Sequence, residues 1–313
     1  MEPAAPHGYD AEEAELLAKL RGAGSVFAEE ELAELQAAAE ADDDLAILPA
    51  WVDRRTLGEP IEHIVGSAAF AELRVAVHAG VFVPRRRTVL LATIVADRLR
   101  ELADRRAPGD PAPRLLDLGC GTGAIAALAM HRVPGIEVVA IDADPAAVRC
   151  AQVNLPGAVV VRANEIEALH GLPPAGSRTP GTGRPGADAT GADVTGTDAT
   201  GAGAPAGSSA SALFDVIAAN LPYVPTAELV HLPHDTLEYE SALALDGGID
   251  GLDPLGEHAT AMAAHLRTGG IAVTEVAPHQ VETAAAILEA VGFSAIEVRS
   301  DDEIGATALI ATR

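Results

Sequence analysis

Two short segments of this chain hold residue types suited to moving a small group between molecules. The first is Asp117-Leu118-Gly119-Cys120-Gly121-Thr122-Gly123, where an apolar run gives way to closely spaced glycines. Glycines at a strand-to-helix turn let backbone amides approach a ligand closely. Asp142 ends the next apolar run, where a carboxylate can accept hydrogen bonds from both hydroxyls of a ribose. The glycine spacing differs from the dinucleotide fingerprint, and no Lys-Ser/Thr pair closes the turn as a phosphate loop requires. The pattern fits S-adenosylmethionine.

The second segment is Asn220-Leu221-Pro222-Tyr223, directly after the apolar run Phe214–Ala219. An amide or exocyclic nitrogen is a poor nucleophile, because its lone pair is delocalised into the neighbouring π system. Two acceptors aimed at its N–H bonds hold it and turn the lone pair toward an electrophile. The Asn220 side-chain oxygen and the Leu221 carbonyl can supply those acceptors, while Tyr223 can stack on the planar group.

Both segments need a scaffold that brings strand ends together. After Pro84 the chain alternates apolar runs with helical stretches, the pattern of an α/β domain around a mostly parallel sheet. Strands are expected at 114–118, 137–141, 158–162, 213–219, 270–275, 294–299 and 306–311. Helices are expected near 88–104, 123–132, 145–154, 254–267 and 279–291. Only Ser300 to Gly305 separate the last two strands, too few residues for a crossover, so that pair is expected to form an antiparallel hairpin at the sheet end, with the last strand antiparallel. Residues 1–55 read as a small helical domain: Asp10 with Glu13 suggests a capping box, and Ala14, Leu17 and Leu20, then Phe27, Leu32, Leu35 and Ala39, recur at helical spacing. Residues 56–86 shift toward period two, as in Leu73, Val75 and Val77, and read as a β-hairpin linker. The sheet domain is expected over 87–313. Within it, residues 171–211 are almost entirely Gly, Ala, Thr, Asp, Pro and Ser, with near-repeats at 186–190, 191–195 and 196–200. A segment with so little to bury is expected to be a disordered surface insertion.

Composition narrows the partners. The 313 residues carry a formal net charge of −25 and one lysine, Lys19, against the clustered cations that hold nucleic-acid phosphates. Direct nucleic-acid and membrane partners are therefore not expected. Two cysteines, Cys120 and Cys150, make no disulfide framework, and no charged-then-apolar leader opens the sequence, so a cytoplasmic setting is expected. Asp246, Asp250, Gly251 and Glu257 fall at calcium-loop positions, but Gly248 and Pro254 break the pattern. His231 and His234 lack clustered partners, and Arg85, Arg86 and Arg87 read as a solvated helix start.

Taken together, these residues resemble the protein N5-glutamine methyltransferases of the HemK type. Besides the two segments, the resemblance covers Leu57–Pro60, Val81–Arg85, Ala242–Leu252, Gly269-Gly270, Gly292-Phe293 and Asp302 with Gly305. It implies a Rossmann-like class I methyltransferase sheet and S-adenosylmethionine as cofactor. It also implies a protein substrate that presents a glutamine, either a peptide chain release factor or a ribosomal protein, recognised by the N-terminal domain. Carried over by position, Asp117 and Gly119, Cys120, Gly121, Thr122 and Gly123 would bind the cofactor, with the turn along its methionine part. Asp142 would take the ribose, Asn164 and Glu165 the adenine end, and Asn220 to Tyr223 the glutamine side chain, with Asn220 also beside the cofactor. The usual Asn-Pro-Pro-Tyr is here Asn220-Leu221-Pro222-Tyr223, and Pro-Arg-Pro-x-Thr-Glu is Pro84-Arg85-Arg86-Arg87-Thr88-Val89, departures that resemble an actinobacterial side branch. Two rival readings remain. An N6-adenine nucleic-acid methyltransferase faces the same nucleophile problem, and a catalytically inactive cofactor-binding protein would act through partner contacts.

Overall fold

The computed structural model describes residues 11–169 and 213–313. The expected insertion at 171–211 and the Asp10 capping residue lie outside them. The chain opens with α1 (Ala11–Gly22), α2 (Ala28–Ala41), α3 (Leu48–Thr56) and α4 (Ile61–Val65), followed by the hairpin β1 (Ser67–Phe70) and β2 (Leu73–Ala76). The helices share a core of their own, in which Leu17, Leu20, Leu32, Leu35, Trp51, Val52 and Ile64 are buried. Acidic Glu29, Glu30 and Glu31 occupy the first turn of α2, where they complement the helix dipole.

The period-two reading of the linker holds only for β1 and β2. Ile61–Val65 is helical, because Pro60 precedes it with φ near −56° and Gly66 closes it at φ 71°, leaving one turn that buries His63 and Ile64.

The remaining elements are α5 (Thr88–Asp104), β3 (Arg114–Leu118), α6 (Ala124–Arg132), β4 (Glu137–Asp142), α7 (Pro145–Asn154), β5 (Val159–Arg162), β6 (Phe214–Ala219), α8 (His234–Tyr239), α9 (Asp253–His265), β7 (Leu266–Glu275), α10 (Val281–Ala290), β8 (Ala295–Asp301) and β9 (Ala306–Thr312). Seven of the strands form one sheet in the order β5-β4-β3-β6-β7-β9-β8. All neighbouring pairs from β5 to β7 are parallel, while β9 runs antiparallel to both β7 and β8. The expected antiparallel hairpin of the last two strands thus ends the sheet, with β8 at the edge and β9 inside it.

Every residue of β3 and β6 is buried, as a parallel sheet covered on both faces requires. Alternate residues serve opposite layers. Leu115 and Val216 pack with Leu91, Val95 and Leu128 of α5 and α6. Leu116 and Ile217 pack with Leu255, Met262 and Leu288 of α9 and α10. Helix α9 ends at His265 and β7 begins at Leu266, earlier than the periodicity suggested. Leu266 already pairs with Phe214, and the register then slips, so that Val216 pairs with Ile271. A Cβ on Gly270 would stand 3.0 Å from the Asp215 carbonyl oxygen, so the slip brings backbone to backbone.

The chain steps from β3 outward to β4 and β5, then returns to place β6 on the other side of β3. That reversal opens a crevice at the carboxyl ends of β3 and β6. Both sequence segments begin there. Among the described residues, no helix is long and apolar enough to cross a membrane.

Candidate active site

Beyond β3 the backbone turns sharply. Gly119 and Gly121 have φ values of 66° and 54°, in the region that side chains strain to adopt. The turn is tied to its neighbours by Cys120 N–H, which donates to the Ile141 carbonyl at 3.0 Å. Asp142 ends β4 and braces the turn from the side. Its Oδ2 accepts from Gly121 N at 2.8 Å and its Oδ1 from Asp144 N at 2.8 Å. Each carboxylate oxygen retains acceptor capacity after these bonds. Burial pushes the Asp142 carboxyl above its usual range, while the backbone bonds pull the other way.

Asp117 plays a different part. It is fully buried beneath the turn, with Oδ2 accepting from Ala126 N at 3.2 Å in the first turn of α6. Its Oδ1 is buried without a partner, and burial raises its pKa to about 7. Gly123 packs against α7, since a Cβ there would come within 2.9 Å of Leu155.

On the other side of the crevice, Asn220 follows β6. Its Nδ2 donates to Thr88 Oγ1 at 3.2 Å, so the start of α5 orients the amide and leaves Oδ1 for another donor. Leu221 precedes a proline, which favours extended backbone there. Tyr223 is fixed at both ends. Its hydroxyl donates to Glu275 Oε1 at 2.7 Å, and its carbonyl accepts from Gln280 Nε2 at 2.9 Å. Burial and then the Glu275 charge push the phenol well above its usual pKa of 10. Arg87 Nε donates to the same Glu275 oxygen at 2.9 Å, and its guanidinium carbon lies 5.5 Å from the Tyr223 ring centre.

The buried Gln280 side chain uses its amide fully. It donates also to the Asp250 carbonyl at 2.9 Å and accepts from Ala277 N at 2.9 Å. This draws the 245–252 segment onto the Asn220–Tyr223 loop. Gly251, at φ 78°, is the closest point: a Cβ there would stand 2.3 Å from the Tyr223 carbonyl oxygen. Among the described residues, no group of three or more His, Cys, Asp or Glu stands together as a metal site.

One cavity of about 580 Å³ joins the two segments, a size typical of small-molecule sites. Gly119, Cys120, Gly121, Thr122, Asp142, Asn164, Asn220, Leu221, Pro222 and Tyr223 line it, whereas Asp117, Gly123 and Glu165 do not. A glycine turn with open backbone and a carboxylate with spare acceptors suits a ligand bearing paired hydroxyls.

The sequence reading missed Thr88, Glu275 and Gln280. Glu275 had a signal: an acidic residue ends the buried run that begins at Gly270. The solvated reading of the arginine run is corrected for two of its members. Arg85 Nη2 donates to both oxygens of buried Glu240 at 2.7 Å, and Arg87 pairs with buried Glu275, because each carboxylate needs a cation to offset its burial. Arg86 alone is exposed.

The family model of the methyltransferase small domain matches residues 73–169. A release factor glutamine methyltransferase of Geobacter sulfurreducens is 31% identical over 251 residues, covering 80% of this chain and 72% of that protein. A protein of the same name from Mycolicibacterium smegmatis is 31% identical over 79% of this chain and 70% of its own length. Among solved structures, a T. thermophilus 16S rRNA N2 G1207 methyltransferase in complex with AdoMet and guanosine matches at 21% identity and a TM-score of 0.46, covering 79% of this chain and 49% of that one.

Proposed function

The chain belongs to the release factor glutamine methyltransferase family, and we propose that it methylates the side-chain amide nitrogen of a glutamine in a peptide chain release factor. It is an S-adenosylmethionine-dependent methyltransferase. When bound, that cofactor supplies a sulfonium methyl group, and the residues present fit it: open glycine backbone, a carboxylate with spare acceptors, and a cavity of about 580 Å³.

The observation that carries the proposal is the oriented Asn220 amide. Thr88 takes an Asn220 N–H, which leaves the Asn220 oxygen as an acceptor for the substrate amide. The Leu221 carbonyl is the second acceptor. Together they hold the planar NH₂ group so that its lone-pair face meets the methyl donor. Tyr223, anchored through Glu275 and Gln280, gives the amide plane a surface to lie on. Transfer replaces one N–H by N–CH₃ and releases one proton.

Asp142 and the Gly119–Thr122 turn are assigned to the cofactor, with Asn164 at its adenine end. Asp117 supports the turn from below. We assign the helices of residues 1–55 to recognition of the protein substrate, residues 56–86 to the linker, and residues 87–313 to catalysis, with the reaction in the cytoplasm. The test is methyl transfer from labelled cofactor to host release factor, with ribosomal proteins in parallel. Label confined to a glutamine of either protein class separates this activity from adenine methylation. Cofactor binding without any transfer would support the inactive reading.

A further inference from the structure

Glu275 stands in the cavity wall beside the residues assigned to amide positioning, Asn220 and Leu221. It closes β7, and the pairing of Ala219 with Thr274 brings Glu275 level with Asn220 on the adjacent strand. Thr274 Oγ1 donates to the Ala219 carbonyl at 2.8 Å and binds the two strand ends together. The Glu275 side chain is 3% exposed, lines the cavity, and has one oxygen without any partner. Burying an acid at such a place is costly unless it is paired and hydrogen-bonded.

Two neighbours share that charge. Arg87, half-exposed, pairs with Oε1 at 2.9 Å, and the Tyr223 hydroxyl donates to the same oxygen at 2.7 Å. The guanidinium thus sits over the ring against which the substrate group would lie, with its charge cancelled by Glu275. An uncancelled arginine there would be a ready carboxylate receptor, because its planar fork matches a carboxylate. Glutamine and glutamate side chains have nearly the same shape, so shape alone discriminates poorly between them.

We propose that Glu275, by neutralising Arg87, is the specificity residue that keeps this site selective for a carboxamide over the carboxylate of the same shape. Glu275 cancels the cation that would attract a carboxylate. Removing an attraction for the wrong ligand complements the selectivity from hydrogen bonding to the right one. The inference rests on the glutamine reading above and extends it to a named pair of residues.

The test uses a host release factor as substrate and the same protein with its acceptor glutamine replaced by glutamate as competitive inhibitor. The quantity read is the ratio of the inhibition constant of the glutamate form to the KM of the glutamine form. Glu275→Gln keeps the side-chain volume and frees Arg87, so this ratio is expected to fall at least tenfold. Arg87→Gln leaves Glu275 uncompensated, so the ratio is expected to rise at least threefold. The double variant Arg87→Gln/Glu275→Gln is expected to return most of the way to wild type. A general loosening of the fold would weaken both forms alike and leave the ratio in place.

A ratio unchanged within threefold in a Glu275→Gln protein that still binds cofactor would overturn the proposal. If that variant does not fold, an unchanged ratio in Arg87→Gln would overturn it equally. A wild-type protein that methylates the glutamine form yet binds the glutamate form as well would refute the selectivity alone. A wild-type protein that leaves the glutamine form unmethylated would remove the functional reading, and this inference with it.

Discussion

Replacing Asp142 with asparagine separates its two tasks, bracing the glycine turn and receiving the cofactor. In the wild type its two oxygens each take one backbone N–H at 2.8 Å, from Gly121 and Asp144. An asparagine amide offers one acceptor and sets its NH₂ against the other backbone donor. The loop therefore loses one charge-assisted bond, worth about 1.5–3 kcal/mol. Part of that loss is offset, because burial already disfavours the Asp142 charge. A stability loss of about 1 kcal/mol is expected. For the ligand, at least one charge-assisted bond from a ribose hydroxyl disappears. At about 1.4 kcal/mol per tenfold, that weakens binding roughly ten- to hundredfold. Titration calorimetry with S-adenosylmethionine reads the affinity, and thermal unfolding reads the turn. A cofactor analogue lacking the ribose hydroxyls should lose comparable affinity on the wild type and less on Asp142→Asn. Wild-type affinity within twofold in the variant would refute the assignment of Asp142 to the cofactor.

Other expectations follow from the same geometry. Asn220→Ala should lower kcat by roughly a hundredfold with cofactor affinity unchanged in calorimetry, since the lost acceptor orients the nucleophile. Gln280→Leu should cost about 2–4 kcal/mol in denaturant unfolding, because it leaves the Tyr223 and Asp250 carbonyls without their donor. It should also lower kcat through the loosened Tyr223 loop. Asp117 holds its proton to about pH 7, against an ordinary pKa of 3.8, so the native state binds more protons than the unfolded state between these values. Its contribution to stability is thus fully present below pH 3.8 and declines as the pH rises to 7. At about 1.4 kcal/mol per pH unit the decline is at most about 4 kcal/mol. Asp117→Asn should abolish it and leave the variant more stable than wild type at pH 8 in urea unfolding.

Local patterns made much of this molecule legible before any coordinates. Strands β3, β4 and β6 announce themselves because a sheet buried on both faces demands mostly apolar runs, interrupted here only by Asp117 and Asp215 inside the strands. The glycine turn and the Asn220 segment stand out because each does its work within a few consecutive residues. What escaped was long-range or bracketed by context. Arg87 and Glu275 lie 188 positions apart, and no periodicity encodes their pairing. The five residues of α4 are too few to display a helical stripe, and Pro60 and Gly66 rather than side-chain period define them. The slip of β7 against β6 follows from the close approach of Gly270 to Asp215, a contact across strands. The role of Asp117 was misplaced for a similar reason. Its position before the glycines suggested a ligand contact, whereas full burial commits it to the start of α6.

The central claim is methyl transfer to a glutamine amide. Its most direct measurement incubates the purified chain with isotope-labelled S-adenosylmethionine and host release factor, then locates the label by peptide mass spectrometry. The expected result is one labelled methyl group on the side-chain nitrogen of a single glutamine, absent when Asn220→Ala replaces the wild type. Release factor that stays unlabelled while the wild-type chain binds cofactor, or label found in nucleic acid instead, would contradict it.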